Sequence, residues 1–174
     1  MGPFRREGLV PLRVTAEYRG VYNVAGPVGE MPAEVTGRMM FQAGDRLDYP
    51  VVGDWVAADV LDAGALAVIH AVLPRTSVLA RKYAGRRIEG QAIAANVDII
   101  FVVAGLDHNF NLNRLERYLA AAAGAGARPV VVLSKSDLAA DAGAAAREVS
   151  GRIPSAVDVL TVSSRTGAGL ETLQ

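Results

Sequence analysis

The sequence contains no cysteine and only two histidines, His70 and His108, which lie far apart in its 174 residues. The lack of cysteine excludes disulfide bonds and thiolate metal sites within these residues, and two separated histidines do not favour a histidine-based metal site. No apolar run approaches the roughly 20 residues that a membrane-spanning helix needs, and Met1–Val10 lacks the apolar core of a secretory signal. We therefore expect a cytoplasmic protein with no membrane partner.

The sequence also lacks net charge, because 18 Lys and Arg residues balance 18 Asp and Glu residues. The chain thus has no overall pattern of a polyanion-binding protein, and any nucleic-acid site has to be a local patch. Apolar residues, in contrast, make up 51% of the chain. That content favours a folded core over disorder, and the length suits one large domain or two small ones.

The first 80 or so residues have the pattern of short β-strands. Leu12, Val14 and Ala16 alternate with polar residues, as in a half-buried strand, and Asp62-Ala63-Gly64 is typical of a hairpin turn. About five such strands in about 80 residues predict a small closed barrel, for which the OB-fold is the leading candidate and an SH3-like barrel the alternative. Trp55 is expected to pack in the barrel core, and the alternative is a surface residue that stacks on RNA bases. The other strands are expected over 18–24, 33–41, 51–60 and 65–73.

A basic connector follows the predicted barrel. Between residues 75 and 90 only Glu89 opposes five cationic residues. One interpretation is a solvated linker, and the other is a contact with a phosphate backbone, beside a barrel type that often binds nucleic acid. The cationic residues are Arg75, Arg81, Lys82, Arg86 and Arg87.

From about residue 92 the pattern changes to strands that alternate with helices, which is typical of a parallel α/β sheet. Residues 97–104 form a nearly continuous apolar run, as in a strand covered on both faces. Asn111 predicts the start of a helix. Helices are expected over 112–123 and 138–149, and further strands over 129–133 and 157–162.

This change of pattern predicts two domains and a linker. The all-β barrel occupies residues 1–82, the basic linker residues 83–91 and the α/β domain residues 92–174. Ligands of open parallel sheets bind outside the carboxyl ends of the strands. The ends of the strands at 129–133 and 157–162 are therefore the predicted location of a site.

Polar residues follow both of these strands, Ser134-Lys135-Ser136-Asp137 after the first and Ser163-Ser164 after the second. An aspartate accepts both the N1–H and the N2–H of guanine, whereas adenine presents an acceptor at N1. A lysine stem covers a flat ring face, and a backbone N–H of the second loop can donate to guanine O6. One such loop alone is more often a solvated turn, but the pair of loops favours a guanine site. Its residues are Ser134, Lys135, Ser136, Asp137, Ser163 and Ser164.

These two loops resemble the guanine-specificity motifs of GTPases, Asn-Lys-x-Asp and Ser-Ala-x, the second at Ser163-Ser164-Arg165. The phosphate-binding loop GxxxxGK[ST], which comes first in ordinary GTPases, has no match upstream. That order resembles the circularly permuted GTPases. Within that group, five blocks resemble ribosome small-subunit-dependent GTPase A, the RsgA or YjeQ family. The blocks are Val51–Val56, Leu73–Leu79, Ala94–Asp98, Asn111–Leu119 and Thr166–Leu170.

The resemblance implies an OB-fold that contacts the small ribosomal subunit and its rRNA, then a circularly permuted P-loop GTPase domain and a zinc-binding domain. The implied activity is GTP hydrolysis in late maturation of the small (30S) subunit, with GTP and GDP as ligands. Because the 174 residues contain no P-loop, we expect an N-terminal fragment with an incomplete GTPase domain that is inactive alone. Mg²⁺ and Zn²⁺ are expected only in the full-length parent, and no catalytic residue is assigned here.

Ser134 stands where the family carries Asn. Its hydroxyl offers one donor instead of two, so weaker guanine affinity is expected, while Asp137 keeps the base preference. The alternative function is a non-enzymatic OB-fold RNA-binding module with a degenerate nucleotide-binding extension. The strand around Ile99 to Val103 is expected to lack a neighbour on one side, and this unpaired edge predicts self-association of the fragment.

Overall fold

Alternating apolar residues close the N-terminal strands into a barrel. The strands are β1 (Val10–Tyr18), β2 (Val21–Gly26), β3 (Gly29–Val35), β4 (Trp55–Leu61) and β5 (Leu66–Val72). The computed structural model describes residues 8–82 and 90–173, and within them the barrel has the order β1-β2-β3-β5-β4. β3 and β5 run parallel, while the other neighbours run antiparallel. The predicted barrel is confirmed, and it is OB-like.

The barrel core contains the inward residues of each strand, and Trp55 is not among them. Leu12, Val24, Val56 and Ile69 are fully buried. Trp55 is 42% exposed, so its predicted core position is wrong. In a strand, successive side chains point to opposite faces, and Val56 takes the inward position next to it.

The strand predicted over 33–41 ends early, because a helix cap interrupts it. β3 ends at Val35, and the Thr36 hydroxyl accepts the N–H of Met39 at 3.2 Å. Thr36 thereby starts the short helix α1 (Gly37–Gln42). Met39 packs against the barrel core, whereas Phe41 is exposed. The apolar run at 39–41 thus belongs to a one-sided helix and not to the strand.

A β-hairpin follows the barrel and is bonded to it. β6 (Val78–Lys82) pairs antiparallel with β7 (Gly90–Ala95). Asn96 donates from Nδ2 to the Gly53 carbonyl at 3.0 Å and accepts the N–H of Thr76 at 2.8 Å. The chain divides into the units Met1–Val97 and Asp98–Gln174, which places the hairpin in the first unit. Most of the predicted linker, including Arg86 and Arg87, lies outside the described residues.

The second unit is a parallel α/β layer, as predicted. Its strands are β8 (Ile99–Gly105), β9 (Arg128–Ser134) and β10 (Asp158–Thr161), and in the described part of the unit their order is β10-β9-β8. The connecting helices are α2 (Leu112–Gly124) and α3 (Ala142–Arg152). Their apolar faces and the sheet bury Leu115, Val131, Leu133 and Val149.

Side-chain caps fix where both helices begin. Asn111 accepts the N–H of Arg114 at 2.9 Å, as predicted, and Asp141 accepts the N–H of Ala144 at 2.8 Å. α3 therefore begins at Ala142 instead of residue 138, and Ser136–Leu138 forms a 3₁₀ turn. Across 8–82 and 90–173, no helix is long and apolar enough to cross a membrane.

Candidate functional site

The carboxyl ends of β9 and β10 meet at one edge of the sheet. The N–H of Ser136 donates to the Val162 carbonyl at 3.1 Å, and the N–H of Val162 donates to the Leu133 carbonyl at 2.9 Å. Lys135 lies between them with a left-handed backbone, φ 57°, which turns the chain from β9 into the 3₁₀ turn Ser136–Leu138. These bonds bring the two predicted loops side by side.

Asp137 is the charged centre of this edge. The Ser163 hydroxyl donates to Oδ1 at 2.5 Å, and Arg165 Nη2 lies 2.8 Å from Oδ2. The Ser163 hydrogen bond is the main cause that lowers the pKa of the Asp137 carboxyl below its usual value, and the Arg165 cation lowers it further. Asp137 is therefore an ionised acceptor at neutral pH.

The second loop is folded tightly around Ser163. The N–H of Ser163 donates to the Ala168 carbonyl at 2.9 Å, and the N–H of Gly167 donates to the Ser163 carbonyl at 2.9 Å. Gly169 has φ +73°, and a Cβ on it would lie 2.2 Å from the Thr161 carbonyl oxygen. The glycine is therefore required for the close approach that seats this loop on the end of β10.

Lys135 is paired with an aspartate from a third strand end. Its Nζ lies 2.6 Å from Oδ2 of Asp107, which follows β8. The bond from Lys135 is the main cause that lowers the pKa of the Asp107 carboxyl, and the N–H of Asn109, which donates to Oδ1 at 2.9 Å, adds to it. The Lys135 stem passes close to Gly105. Asp107 thus fixes the ammonium end of Lys135 and the direction of its stem.

The structure brings the six predicted site residues to the ends of β9 and β10. Of these, Asp137 and Ser163 are in direct contact, while Ser164 and Lys135 are exposed. Sequence reasoning missed Asp107 and Arg165 as partners of the site. Only their positions in the sequence could have indicated that they belong to the site, since Asp107 follows a strand end and Arg165 follows Ser163-Ser164.

The comparison with known families decides the classification. The model of the RsgA GTPase family matches residues 72–174. The chain belongs to the RsgA GTPase family. The small ribosomal subunit biogenesis GTPase RsgA of Opitutus terrae is 42% identical over 98% of this chain and 48% of that protein. RsgA 2 of Lactiplantibacillus plantarum, with the same description, is 40% identical over 98% of this chain and 47% of that protein.

Solved structures share the fold of this RsgA-family chain. YjeQ from Thermotoga maritima superposes with a TM-score of 0.70 at 24% identity, over 94% of this chain and 55% of that chain. YloQ, a circularly permuted GTPase, gives a TM-score of 0.64 at 19% identity, over 95% of this chain and 55% of that chain. The likeness to these structures shows the fold alone. The chain spans about half the length of the curated relatives it matches, at 48% and 47% of the two above.

Proposed function

We propose that this chain carries the RNA-binding barrel and the guanine-recognition part of a GTPase that acts in biogenesis of the small ribosomal subunit. The observation that carries the proposal is the contact between Asp137 and Ser163, which joins two guanine-type loops at one sheet edge. Family membership supports it, because relatives are named small ribosomal subunit biogenesis GTPases. The activity is proposed for the longer proteins of the family, and their cytoplasmic location remains a prediction.

Each part of the edge has a role in holding GTP or GDP by its base. Asp137, an ionised acceptor, takes the N1–H and N2–H of guanine. The stem of Lys135, held at its far end by Asp107, covers one face of the ring. The backbone N–H of Ser164, an exposed residue, supplies a donor for O6. Two backbone hydrogen bonds hold the first loop in place. The Ser134 carbonyl accepts the N–H of Leu106 at 2.8 Å, and the N–H of Ser136 donates to the Val162 carbonyl at 3.1 Å.

Hydrolysis needs groups that these residues do not supply. A P-loop provides the backbone cradle for phosphates, a Lys and a Ser or Thr for Mg²⁺, and the 174 residues contain no GxxxxGK[ST]. Within the described ranges, no group of three or more His, Cys, Asp or Glu residues suits a metal ion. Mg²⁺ and Zn²⁺ are therefore proposed for the longer family proteins and are not placed on residues of this chain.

The guanine site is tested by exchanging the acceptor at Asp137. In Asp137→Asn the amide presents one donor and one acceptor, so it no longer matches guanine but pairs with the C2 carbonyl of xanthine. We expect GDP affinity to fall about 10- to 100-fold, since hydrogen bonds to charged groups are lost, and xanthosine diphosphate affinity to rise. Titration calorimetry with GDP, xanthosine diphosphate and ADP measures both effects.

Asp141→Asn is the matched control, because Asn caps a helix as well as Asp does and Asp141 lies at the start of α3. It is expected to leave all three affinities unchanged. An Asp137→Asn chain with unaltered GDP preference contradicts the site. Equal GDP and ADP affinity in the unmodified chain supports the alternative, a non-enzymatic RNA-binding module.

RNA binding by the barrel is favoured by two exposed aromatic rings, each of which lies beside an arginine. The Arg13 guanidinium lies 5.4 Å from the Trp55 ring centroid, and that of Arg19 lies 5.2 Å from the Tyr18 ring. Tyr18 is 70% exposed at the β1–β2 turn. Flat rings beside cations suit stacking on unpaired bases and contact with phosphates. We propose rRNA of the small subunit as the partner.

Removal of both rings tests this surface. Stacking contributes about 1–3 kcal/mol per base, so the Tyr18→Ala, Trp55→Ala double variant is expected to bind isolated small subunits at least about tenfold more weakly in sedimentation assays. Phe41→Ala is the control, because Phe41 is exposed but belongs to neither pair. An equal loss in both proteins, or none in the double variant, would argue against this face.

A further inference from the structure

Both oxygens of Asp137 are held by side chains of the second loop, and these two partners differ in burial. Ser163 is fully buried, and its oxygen also accepts the N–H of Thr166 at 3.2 Å. The side chain of Arg165 is 72% exposed, whereas that of Asp137 is only 12% exposed. Ser163 is therefore a fixed partner of Asp137, and Arg165 is a replaceable one.

The Arg165 guanidinium has the same donor pattern as the edge of guanine that Asp137 would bind. The N1–H, C2 and N2–H edge of guanine is itself a guanidine fragment with two N–H donors side by side. Arginine presents the same planar pair with a positive charge, and both fit a carboxylate in its own plane. Arg165 already occupies Oδ2 at 2.8 Å. A guanine base that pairs with both oxygens of Asp137 therefore competes with Arg165 for Oδ2.

We propose that Arg165 is a built-in competitor of the guanine base, which occupies Asp137 in the nucleotide-free chain and moves into solvent when the base binds. This inference rests on the proposed guanine site. The exposure of the Arg165 side chain makes its displacement easy, because ion pairs with a solvent-exposed partner are weak. The competition also disfavours adenine. Adenine presents an acceptor at N1, so it would displace the guanidinium donor of Arg165 without offering Asp137 an N1–H donor in its place.

Arg165→Gln tests the inference, because it removes the charge of the competitor and leaves Asp137 and Ser163 in place. The expected result is GDP affinity about two- to fivefold tighter than in the unmodified chain at low salt, the range of an exposed ion pair. At about 1 M salt, where the Debye length is about 3 Å, the difference is expected to vanish. Titration calorimetry on the 174-residue chain at both salt concentrations measures it.

The matched control is Arg147→Gln. Arg147 pairs with Asp141 at 3.7 Å, and its side chain is 75% exposed, so its removal is expected to leave GDP affinity unchanged. Weaker GDP binding by Arg165→Gln would show that Arg165 contacts the nucleotide, and equal binding would show that Arg165 and the base do not compete for Asp137. Either result overturns the competitor proposal but leaves the guanine site standing. If neither protein binds GDP, the proposed guanine site fails and the competitor with it.

Discussion

At the scale of single residues, the Ser163 hydroxyl donates a hydrogen bond that favours the ionised form of Asp137. Its hydrogen bond is the main cause of the lowered pKa of that carboxyl, so Ser163→Ala is expected to raise the pKa toward the ordinary aspartate value. Because the pKa of Asp137 is lower in the folded chain than in the unfolded chain, its ionised form stabilises the fold. This contribution to the free energy of unfolding is present above the unfolded pKa, about 3.9, and is lost as the pH falls through the folded pKa. Carboxyl NMR titration measures the shift.

Asp107 provides the internal control for that titration. Its pKa is lowered by Lys135 and the N–H of Asn109, which Ser163→Ala does not touch, so it is expected to stay in place. An unchanged Asp137 pKa in the variant would contradict the role of Ser163.

The residues of the site were predictable to the extent that their positions are local. Ser134 to Asp137 and Ser163-Ser164 directly follow apolar strands, and the carboxyl ends of parallel strands share one edge. Lys135 pairs with Asp107, 28 residues before it, and Asp137 pairs with Arg165, 28 residues after it. No spacing rule connects residues that far apart, which is why Asp107 and Arg165 were missed.

At the scale of elements, a buried ion pair fastens the segment after β5 to the barrel. The Arg75 guanidinium donates to both oxygens of Asp54, at 2.8 and 2.7 Å, and also to the carbonyls of Leu47 and Tyr49. Asp54 is fully buried, so Arg75→Met would leave an unpaired buried carboxylate. We expect a loss of about 3–5 kcal/mol in the free energy of unfolding, measured in urea by Trp55 fluorescence.

His70→Gln is the control in the same barrel. His70 Nε2 lies 2.9 Å from Asp59, but both side chains are partly exposed, so the expected change is below about 1 kcal/mol. Equal losses in the two variants would show that burial does not set the strength of the Asp54–Arg75 pair.

The barrel and the parallel sheet followed from the sequence, whereas the β6–β7 hairpin, the helix α1 and several boundaries did not. Strand periodicity gave the barrel, and alternating strands and helices gave the parallel sheet. The boundary errors arose at helix caps. Thr36 caps a helix and so ends the strand that the apolar run predicted, and Asp141 caps α3 so that the helix begins later in the chain than predicted. Arg75 was assigned to a basic connector because a sequence pattern does not show that Asp54, 21 residues away, meets it in the interior.

At the scale of the whole chain, the edge strand β8 carries the last prediction. In the described part of the second unit, β8 has β9 as its only sheet neighbour, and Phe101 and Val103 are 49% and 60% exposed. An open apolar strand edge pairs readily with another chain. We propose that the 174-residue chain self-associates with rising concentration, and that Val103→Lys shifts it toward monomer, because a lysine at an edge opposes such pairing.

Sedimentation velocity over a range of protein concentrations tests the role of the β8 edge. Val28→Lys is the matched control, since Val28 is similarly exposed but lies in the β2–β3 turn of the barrel. It is expected to associate like the unmodified chain. If both lysine variants dissociate equally, added charge in general and not the β8 edge governs association. An unmodified chain that stays monomeric at every concentration would refute the proposal, because the exposed edge would then be insufficient to hold two copies together.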